Sequence, residues 1–229
     1  MSDRSSRRCN VPADKFSFLI TRPDFDDTTA YCLAWSGQLI NEANDRGFAI
    51  LDLRKEKATL EEFEGRMKLP AVIFVMLNGH GTLFTVEGDK GSMLLEYGKN
   101  EHLTKGKIIF ARSRYSLEKL GGSCAQSGAL GYVGYSRPFF FVLDSAQGAH
   151  PLNDELAKPC FIASNLVALS IIKGQAISEA VRKSREESEK LKAHWQTRPE
   201  IEAPLVASFI SWNSNCLDFC GSPEAKLQY

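Results

Sequence analysis

Short apolar runs alternate with mixed apolar and polar segments through the first half of the chain. The longest run covers residues 71–77, where seven apolar residues follow one another. A run of this length, rich in β-formers, is typical of a strand buried on both faces. Neighbouring patterns predict strands over residues 16–21, 48–53 and 107–111, and helices over residues 28–46 and 59–68. Strands and helices that alternate in this order predict a parallel sheet covered by helices on both faces.

The second half of the chain is predicted to be richer in helices. Residues 83–86 and the glycine-rich residues 87–91 indicate a β-hairpin. Further patterns predict a short helix over residues 92–97, strands over 128–134 and 139–143, and helices over 159–174, 177–195 and 203–217. We expect one α/β domain over residues 15–229, with a helical C-terminal part (150–229), after a flexible arm of residues 1–14.

Composition narrows the classes of function. The chain of 229 residues carries 28 Lys and Arg against 28 Asp and Glu, so no net basic charge favours nucleic-acid binding. No apolar stretch approaches the roughly 18 to 20 residues of a membrane-spanning helix, and no secretory signal is recognisable. The six cysteines follow no paired zinc spacing. We therefore expect a soluble cytoplasmic protein that binds no membrane, no nucleic acid by itself, no metal and no cofactor.

One strand end carries a candidate catalytic group. The apolar run at residues 71–77 ends in Asn-Gly-His-Gly, which places His80 between Gly79 and Gly81. In open α/β sheets, ligands bind at the carboxyl ends of the strands, which is where this histidine is expected to lie. The alternative interpretation is a glycine-rich turn that happens to contain a histidine.

A second strand end brings further polar residues to the same edge. The strand predicted over residues 107–111 is followed by Ser113 and Arg114. Because neighbouring parallel strands lie about 4.8 Å apart, groups at their carboxyl ends can meet. Cysteine peptidases use such a geometry, with an attacking thiolate and an imidazole that manages the proton.

Together these residues resemble the caspase-like cysteine peptidases of clan CD, which include caspases, gingipains, separase and the bacterial CHAT-type domains. The matching parts are the strand that ends in Asn-Gly-His-Gly, residues 107–116, and the glycine-rich strand at residues 128–135. The order of elements agrees over residues 16–142 and is closest to the CHAT-type domains, whereas the caspase signature Gln-Ala-Cys-x-Gly is absent. The resemblance implies a three-layer α/β/α sandwich with a mainly parallel central sheet and a β-hairpin after the catalytic histidine.

The resemblance also implies peptide-bond hydrolysis by a Cys/His dyad, with one departure in this chain. Bacterial relatives typically read Ala-Arg-Ser-Cys after the fourth strand, whereas this chain ends the same motif with Arg114. A guanidinium is cationic and offers no nucleophilic lone pair. We therefore expect an endopeptidase domain that is inactive in this form. His80 would be the retained acid–base residue, and backbone N–H groups near Gly79, Gly81 and position 114 would hold the oxyanion.

The resemblance implies a protein or peptide as the bound molecule. Relatives that cut after Arg or Lys use acidic groups near the end of the first strand, which suggests a substrate pocket containing Asp24, Asp26 and Asp27. The alternative is that Asp26 or Asp27 caps the following helix and that the remaining carboxylates are solvated.

Other interpretations stay open on the sequence alone. Ser113 or Cys124 could replace the missing nucleophile, although a serine needs its own base and Cys124 is expected in the core. The chain could be a natural pseudo-peptidase that binds proteins in a bacterial defence or signalling complex, with the C-terminal helices as a contact surface for the partner. It could also be an unrelated α/β protein without a site at this edge.

Overall fold

A six-stranded sheet forms the centre of the fold in the computed structural model, which describes residues 16–228. The strands are β1 (Ser17–Arg22), β2 (Ala49–Arg54), β3 (Val72–Asn78), β4 (Thr85–Glu87), β5 (Met93–Glu96), β6 (Ile108–Arg112), β7 (Gly131–Tyr135) and β8 (Leu217–Gly221). The helices are α1 (Asp27–Trp35), α2 (Gly37–Asp45), α3 (Leu60–Met67), α4 (Gly122–Gln126), α5 (Lys158–Ile172), α6 (Ile177–Gln196) and α7 (Ala203–Cys216). The central sheet has the order β2-β1-β3-β6-β7-β8 and is parallel except for β8.

Both faces of the sheet are buried, which gives three layers. In β1, Phe18 and Ile20 pack into one core with side chains of α2, α5 and α6. The intervening Leu19 points to the other core, which contains side chains of α3, α4 and the β4–β5 hairpin. Because each fully buried Leu, Ile or Phe contributes about 1.5 to 3 kcal/mol, strands that are apolar on both faces are stable only between two helical layers.

The register between β3 and β6 fixes which residues meet at the edge of the sheet. These strands are parallel neighbours, and Asn78 is paired with Arg112 at their carboxyl ends. His80 lies two residues after Asn78, and Arg114 lies two residues after Arg112. The pairing therefore brings these two side chains to one edge, as the order of the predicted strands requires.

The hairpin after His80 is longer than predicted. Residues 92–97, predicted as a short helix, instead contain β5, which pairs antiparallel with β4. Leu94 and Leu95 are both fully buried beneath this pairing. A short apolar run fits a helix or a strand equally well, and here the partner strand decides between them.

The strand predicted over residues 139–143 is wrong, because this segment is irregular. β8 pairs along β7 and so takes the sheet position that such a strand would need. The backbone of Phe140 bonds to a side chain instead: its N–H donates to Asn213 Oδ1 at 2.9 Å, and its carbonyl accepts from Asn213 Nδ2 at 2.6 Å. Phe139 and Phe141 turn inward against Phe161.

Two predictions about helices are only partly right. The helix predicted over residues 28–46 is divided into α1 and α2 at Ser36, whose hydroxyl donates back to the carbonyl of Cys32. Such a bond competes with the helical backbone and bends it. At the other end of the chain, the C-terminal part is not purely helical, because α7 runs directly into β8.

The predicted arm, residues 1–14, lies outside the described residues, and the single domain over residues 15–229 stays a prediction. Within residues 16–228, no helix combines the length and the apolar character that are needed to cross a membrane.

Candidate active site

The glycines on both sides of His80 are required by close packing. A Cβ atom on Gly79, which has a φ of +152°, would lie 1.9 Å from the carbonyl oxygen of Glu87 in the hairpin. A Cβ atom on Gly81 would lie 2.2 Å from Ser113 Oγ. The carbonyl of His80 accepts hydrogen bonds from the Glu87 N–H and from Ser113 Oγ, each at 2.9 Å. The backbone of His80 is therefore held by the hairpin on one side and by the end of β6 on the other.

Both imidazole nitrogens of His80 have side-chain partners. Nε2 lies 2.5 Å from Asp26 Oδ2, and Nδ1 lies 3.3 Å from Arg114 Nη2. Because a guanidinium can only donate, Nδ1 must be the acceptor, and the proton of the neutral ring is on Nε2 and is donated to Asp26. Phe25 contacts the ring edge-on, with 5.6 Å between centroids.

Asp26 has two roles in this arrangement. Its Oδ1 accepts the backbone N–H of Thr29 at 2.8 Å and so caps the N-terminus of α1, as one of the sequence alternatives required. Its Oδ2 faces His80. Partial burial by itself would raise the pKa of Asp26, but the hydrogen bonds from His80 and Thr29 outweigh it and hold the pKa below its usual value.

The other two carboxylates of the predicted substrate pocket, Asp24 and Asp27, are not among the partners of the His80 ring. Asp24 forms an ion pair of 2.9 Å with Lys55, and Asp27 is an exposed residue of the first turn of α1. Asp26 already has two partners. A role of these three residues in binding substrate stays a prediction, as do the oxyanion roles of Gly79 and Gly81.

The two alternative nucleophiles are in unsuitable surroundings. Ser113 is buried, and its hydroxyl donates to the carbonyl of His80 rather than facing the imidazole. Cys124 is fully buried in the core beneath the other face of the sheet, and burial raises the pKa of its thiol to about 12. Arg114, by contrast, is exposed beside His80.

Two cavities share Arg114 as a lining residue. One of about 170 Å³ is lined by Thr28, Cys32, His80, Arg112, Arg114 and Phe139, among others. The other, of about 460 Å³, is lined by Gly81, Thr82, Leu83, Phe84, Glu87, Arg114 and Tyr115. Within residues 16–228, no cluster of three or more His, Cys, Asp or Glu side chains is arranged to hold a metal ion. The arrangement is thus a cleft lined by the imidazole of His80, whose Nε2 is bonded to the carboxylate of Asp26 outside the cavity lining.

Sequence reasoning missed Cys32, Arg112 and Phe139 as residues of this cleft. Arg112 could have been noticed, because a charged residue directly follows the apolar part of a buried strand. Cys32 and Phe139 come from a helix and an irregular segment, and no local pattern indicates that either reaches the edge of the sheet.

Comparison with known proteins identifies the class of fold. The solved structure of the Arg-specific cysteine proteinase gingipain R is similar to this chain with a TM-score of 0.52 at 10% sequence identity. The match covers 91% of this chain and 46% of the gingipain chain, so this chain spans about half the length of that protein. No protein-family model matches the chain, and no curated protein is similar to it in sequence.

The fold is therefore the caspase-like α/β fold, with a mainly parallel six-stranded sheet flanked by helices. This agrees with the architecture that the sequence resemblance implied. The finer likeness to CHAT-type domains stays a prediction.

Proposed function

We propose that this chain is a caspase-like cysteine peptidase domain without its nucleophile, which binds a peptide in the cleft at the ends of β3 and β6 and does not hydrolyse it. The single observation that supports this most is the 3.3 Å contact between His80 Nδ1 and Arg114 Nη2. It puts a cation at the place where the peptidase mechanism needs a thiolate facing the imidazole.

The remaining parts of the cleft are those that a cysteine peptidase would use. Asp26 accepts from His80 Nε2, which orients the ring and leaves Nδ1 facing position 114. In the catalytic triads of hydrolases, a carboxylate fixes the tautomer of the histidine in this way. With a thiol at position 114, Nδ1 would take its proton, the sulfur would attack the scissile carbonyl, and the imidazolium would protonate the leaving amine.

Peptide binding is supported by the shape of the edge. Arg114 lines both the cavity of about 170 Å³ and the cavity of about 460 Å³, so a peptide segment that passes over Arg114 would have both cavities within reach of its side chains. The larger cavity has exposed apolar side chains, Leu83 and Phe84, and Phe84 packs edge-on against Tyr97. Exposed aromatic groups beside a cleft are typical of sites for peptides.

The test combines binding and cleavage. Fluorescein-labelled random pentapeptide pools are titrated with the unaltered chain, binding is followed by anisotropy, and products are sought by mass spectrometry. We expect binding without cleavage. Arg114→Cys is expected to cleave members of the same pools, and the double variant with His80→Ala is expected to bind but not to cleave.

A matched control is Arg137→Cys, which introduces a thiol at an exposed position that lines neither cavity. Cleavage by Arg114→Cys but not by Arg137→Cys would support the proposal. A folded Arg114→Cys variant that neither cleaves peptides nor reacts with a peptidyl electrophile would overturn the peptidase geometry. Failure of the unaltered chain to bind any pool would overturn the binding role.

A further inference from the structure

The buried end of the smaller cavity contains a guanidinium with an unused donor. Arg112 is 2% exposed. Its Nε donates to Ser164 Oγ at 2.9 Å, and its Nη2 donates to Asn165 Oδ1. Nη1 has no hydrogen-bond partner among residues 16–228. A buried donor left unpaired costs about 1 to 3 kcal/mol, and more when the group is charged.

The charge of Arg112 is also uncompensated. No carboxylate within the described part of the chain forms an ion pair with it. The rings of Phe139 and Phe161 lie 5.8 and 5.2 Å from its guanidinium carbon and supply weak cation–π attraction. The buried carboxylate of Asp154 has other partners, because it accepts from the hydroxyl of Tyr31 at 2.7 Å and from backbone N–H groups.

The thiol of Cys32 does not supply the missing negative charge. Burial raises the pKa of Cys32, and the neighbouring Arg112 only partly offsets that rise. The thiol therefore stays neutral near pH 7, and a neutral thiol is a weak acceptor. A buried cation without an anionic partner is strongly unfavourable, which points to a partner that binds from outside the chain.

The cavity that Arg112 lines has the size and charge to take one acidic group. Its volume of about 170 Å³ is below the roughly 300 to 1,000 Å³ of sites for whole small molecules, so it suits a single side chain. Its lining contains Arg112, Arg114 and His80 and no carboxylate. Arg114 is exposed, whereas Arg112 is deeply buried, so the positive charge extends through the cavity.

We propose that this cavity binds a carboxylate of the bound peptide, which accepts a hydrogen bond from Arg112 Nη1. The carboxylate is either an acidic side chain or the free C-terminus of the peptide. This inference rests on the proposed peptide-binding function and adds the chemistry of the residue that is recognised. A cationic side chain would be repelled here, so the preference differs from the Arg specificity stated for gingipain R.

Four peptide pools distinguish the two sources of the carboxylate. All have random neutral residues around one fixed central residue, and the unaltered chain is titrated with each by anisotropy. Three pools are C-terminally amidated and carry Asp, Asn or Arg at the centre, and the fourth carries Asn with a free C-terminus. We expect either the Asp pool or the free-acid pool to bind at least about tenfold more tightly than the amidated Asn pool. A charge-assisted hydrogen bond contributes enough free energy of binding for a factor of this size.

Two variants test whether this preference comes from the cavity. Arg112→Gln removes the charge, and Thr28→Phe fills the cavity from an exposed position of α1 without changing Arg112. Both are expected to reduce the preference to about twofold or less. Gln38→Phe, on an exposed position of α2 outside the cavity, is the matched control and is expected to keep the preference.

The outcomes separate this inference from the function on which it rests. Equal binding of all pools, or preference for the Arg pool, would overturn the carboxylate site and leave peptide binding intact. If no pool binds, the proposed function fails. The carboxylate site is then tested separately by NMR: N-acetyl-aspartate amide is titrated into the unaltered chain, and the chemical shift of the Arg112 side-chain Nε–H is followed. A change in this chemical shift with N-acetyl-aspartate amide but not with N-acetyl-asparagine amide would support the carboxylate site. No change with N-acetyl-aspartate amide would overturn it.

Discussion

Replacing Gly79 by alanine tests whether the residue before His80 is glycine for steric reasons. The new Cβ would lie 1.9 Å from the carbonyl oxygen of Glu87, and the φ of +152° is one that residues with a side chain rarely adopt. Backbone strain of this kind costs about 1 to 3 kcal/mol, and forcing an extra methyl group into a packed site costs about 1 to 3 kcal/mol. We therefore expect Gly79→Ala to lower the free energy of unfolding by roughly 2 to 6 kcal/mol.

Three other glycines separate the two contributions. Gly47 has a φ of +82° and nothing within 4 Å of a new Cβ, so Gly47→Ala should cost only strain, about 1 to 2 kcal/mol. Gly81 has the close contact with Ser113 without a positive φ, so Gly81→Ala should cost about 1 to 3 kcal/mol. Gly65 lies inside α3 with neither problem, and Gly65→Ala should stabilise by about 0.5 to 1 kcal/mol.

The assay is urea denaturation of the four variants, followed by circular dichroism, with the free energy of unfolding extrapolated to water. The order expected is Gly65→Ala most stable, Gly47→Ala and Gly81→Ala intermediate, and Gly79→Ala least stable. If Gly79→Ala costs no more than Gly47→Ala, the close approach of the hairpin to His80 is refuted.

Three further predictions concern Asp26, Asn213 and Cys124. Asp26→Asn keeps the helix cap but loses the charged acceptor of His80, so it should cost roughly 1 kcal/mol at pH 7 in urea denaturation. Because the pKa of Asp26 is lowered by folding, this difference should be complete above about pH 4 and disappear as the pH falls below that value; a constant difference would contradict it. Asn213→Ala should cost about 1 to 3 kcal/mol, because both of its hydrogen bonds to the Phe140 backbone are lost, and a change below about 0.5 kcal/mol would argue against that contact. Cys124, whose pKa burial raises to about 12, should resist iodoacetamide in the native chain and react after unfolding, as peptide mass mapping would report; rapid native labelling would place it elsewhere.

The sequence predicted the part of the fold that depends on continuous apolar runs. β1, β3 and β6 are buried along nearly their whole length, β2 at the edge of the sheet is partly buried, and the order of their apolar runs indicated parallel pairing. Since the carboxyl ends of parallel neighbours share an edge, the proximity of His80 and Arg114 followed from strand order alone.

The parts that the sequence did not predict depend on distant partners. Residues 139–143 are as apolar as a strand, but β8, from the other end of the chain, takes the pairing position and Asn213 takes the backbone hydrogen bonds. The contacts of Asp26 also depend in part on a distant partner. Its role as a helix cap was predictable from the local sequence, whereas its second contact, with His80, depends on how β3 and α1 come together in the fold.

Some expectations lie beyond these contacts and stay predictions. They are the cytoplasmic location, the role in a bacterial defence or signalling complex, and the partner at the C-terminal helices. For the last of these, the groove of about 640 Å³ between α6 and α7, lined by Trp195 and Trp212, is the place to introduce charged substitutions in a binding assay.

The central claim is that position 114 faces His80 Nδ1 in a caspase-like cleft. The most direct test is the rate at which iodoacetamide alkylates the new thiol of Arg114→Cys as a function of pH, with and without His80→Ala. We predict a reactive thiolate below pH 7 when the imidazole is present and a shift of the profile to the ordinary thiol pKa of about 8.5 when it is removed. Identical profiles for the two variants would contradict the claim.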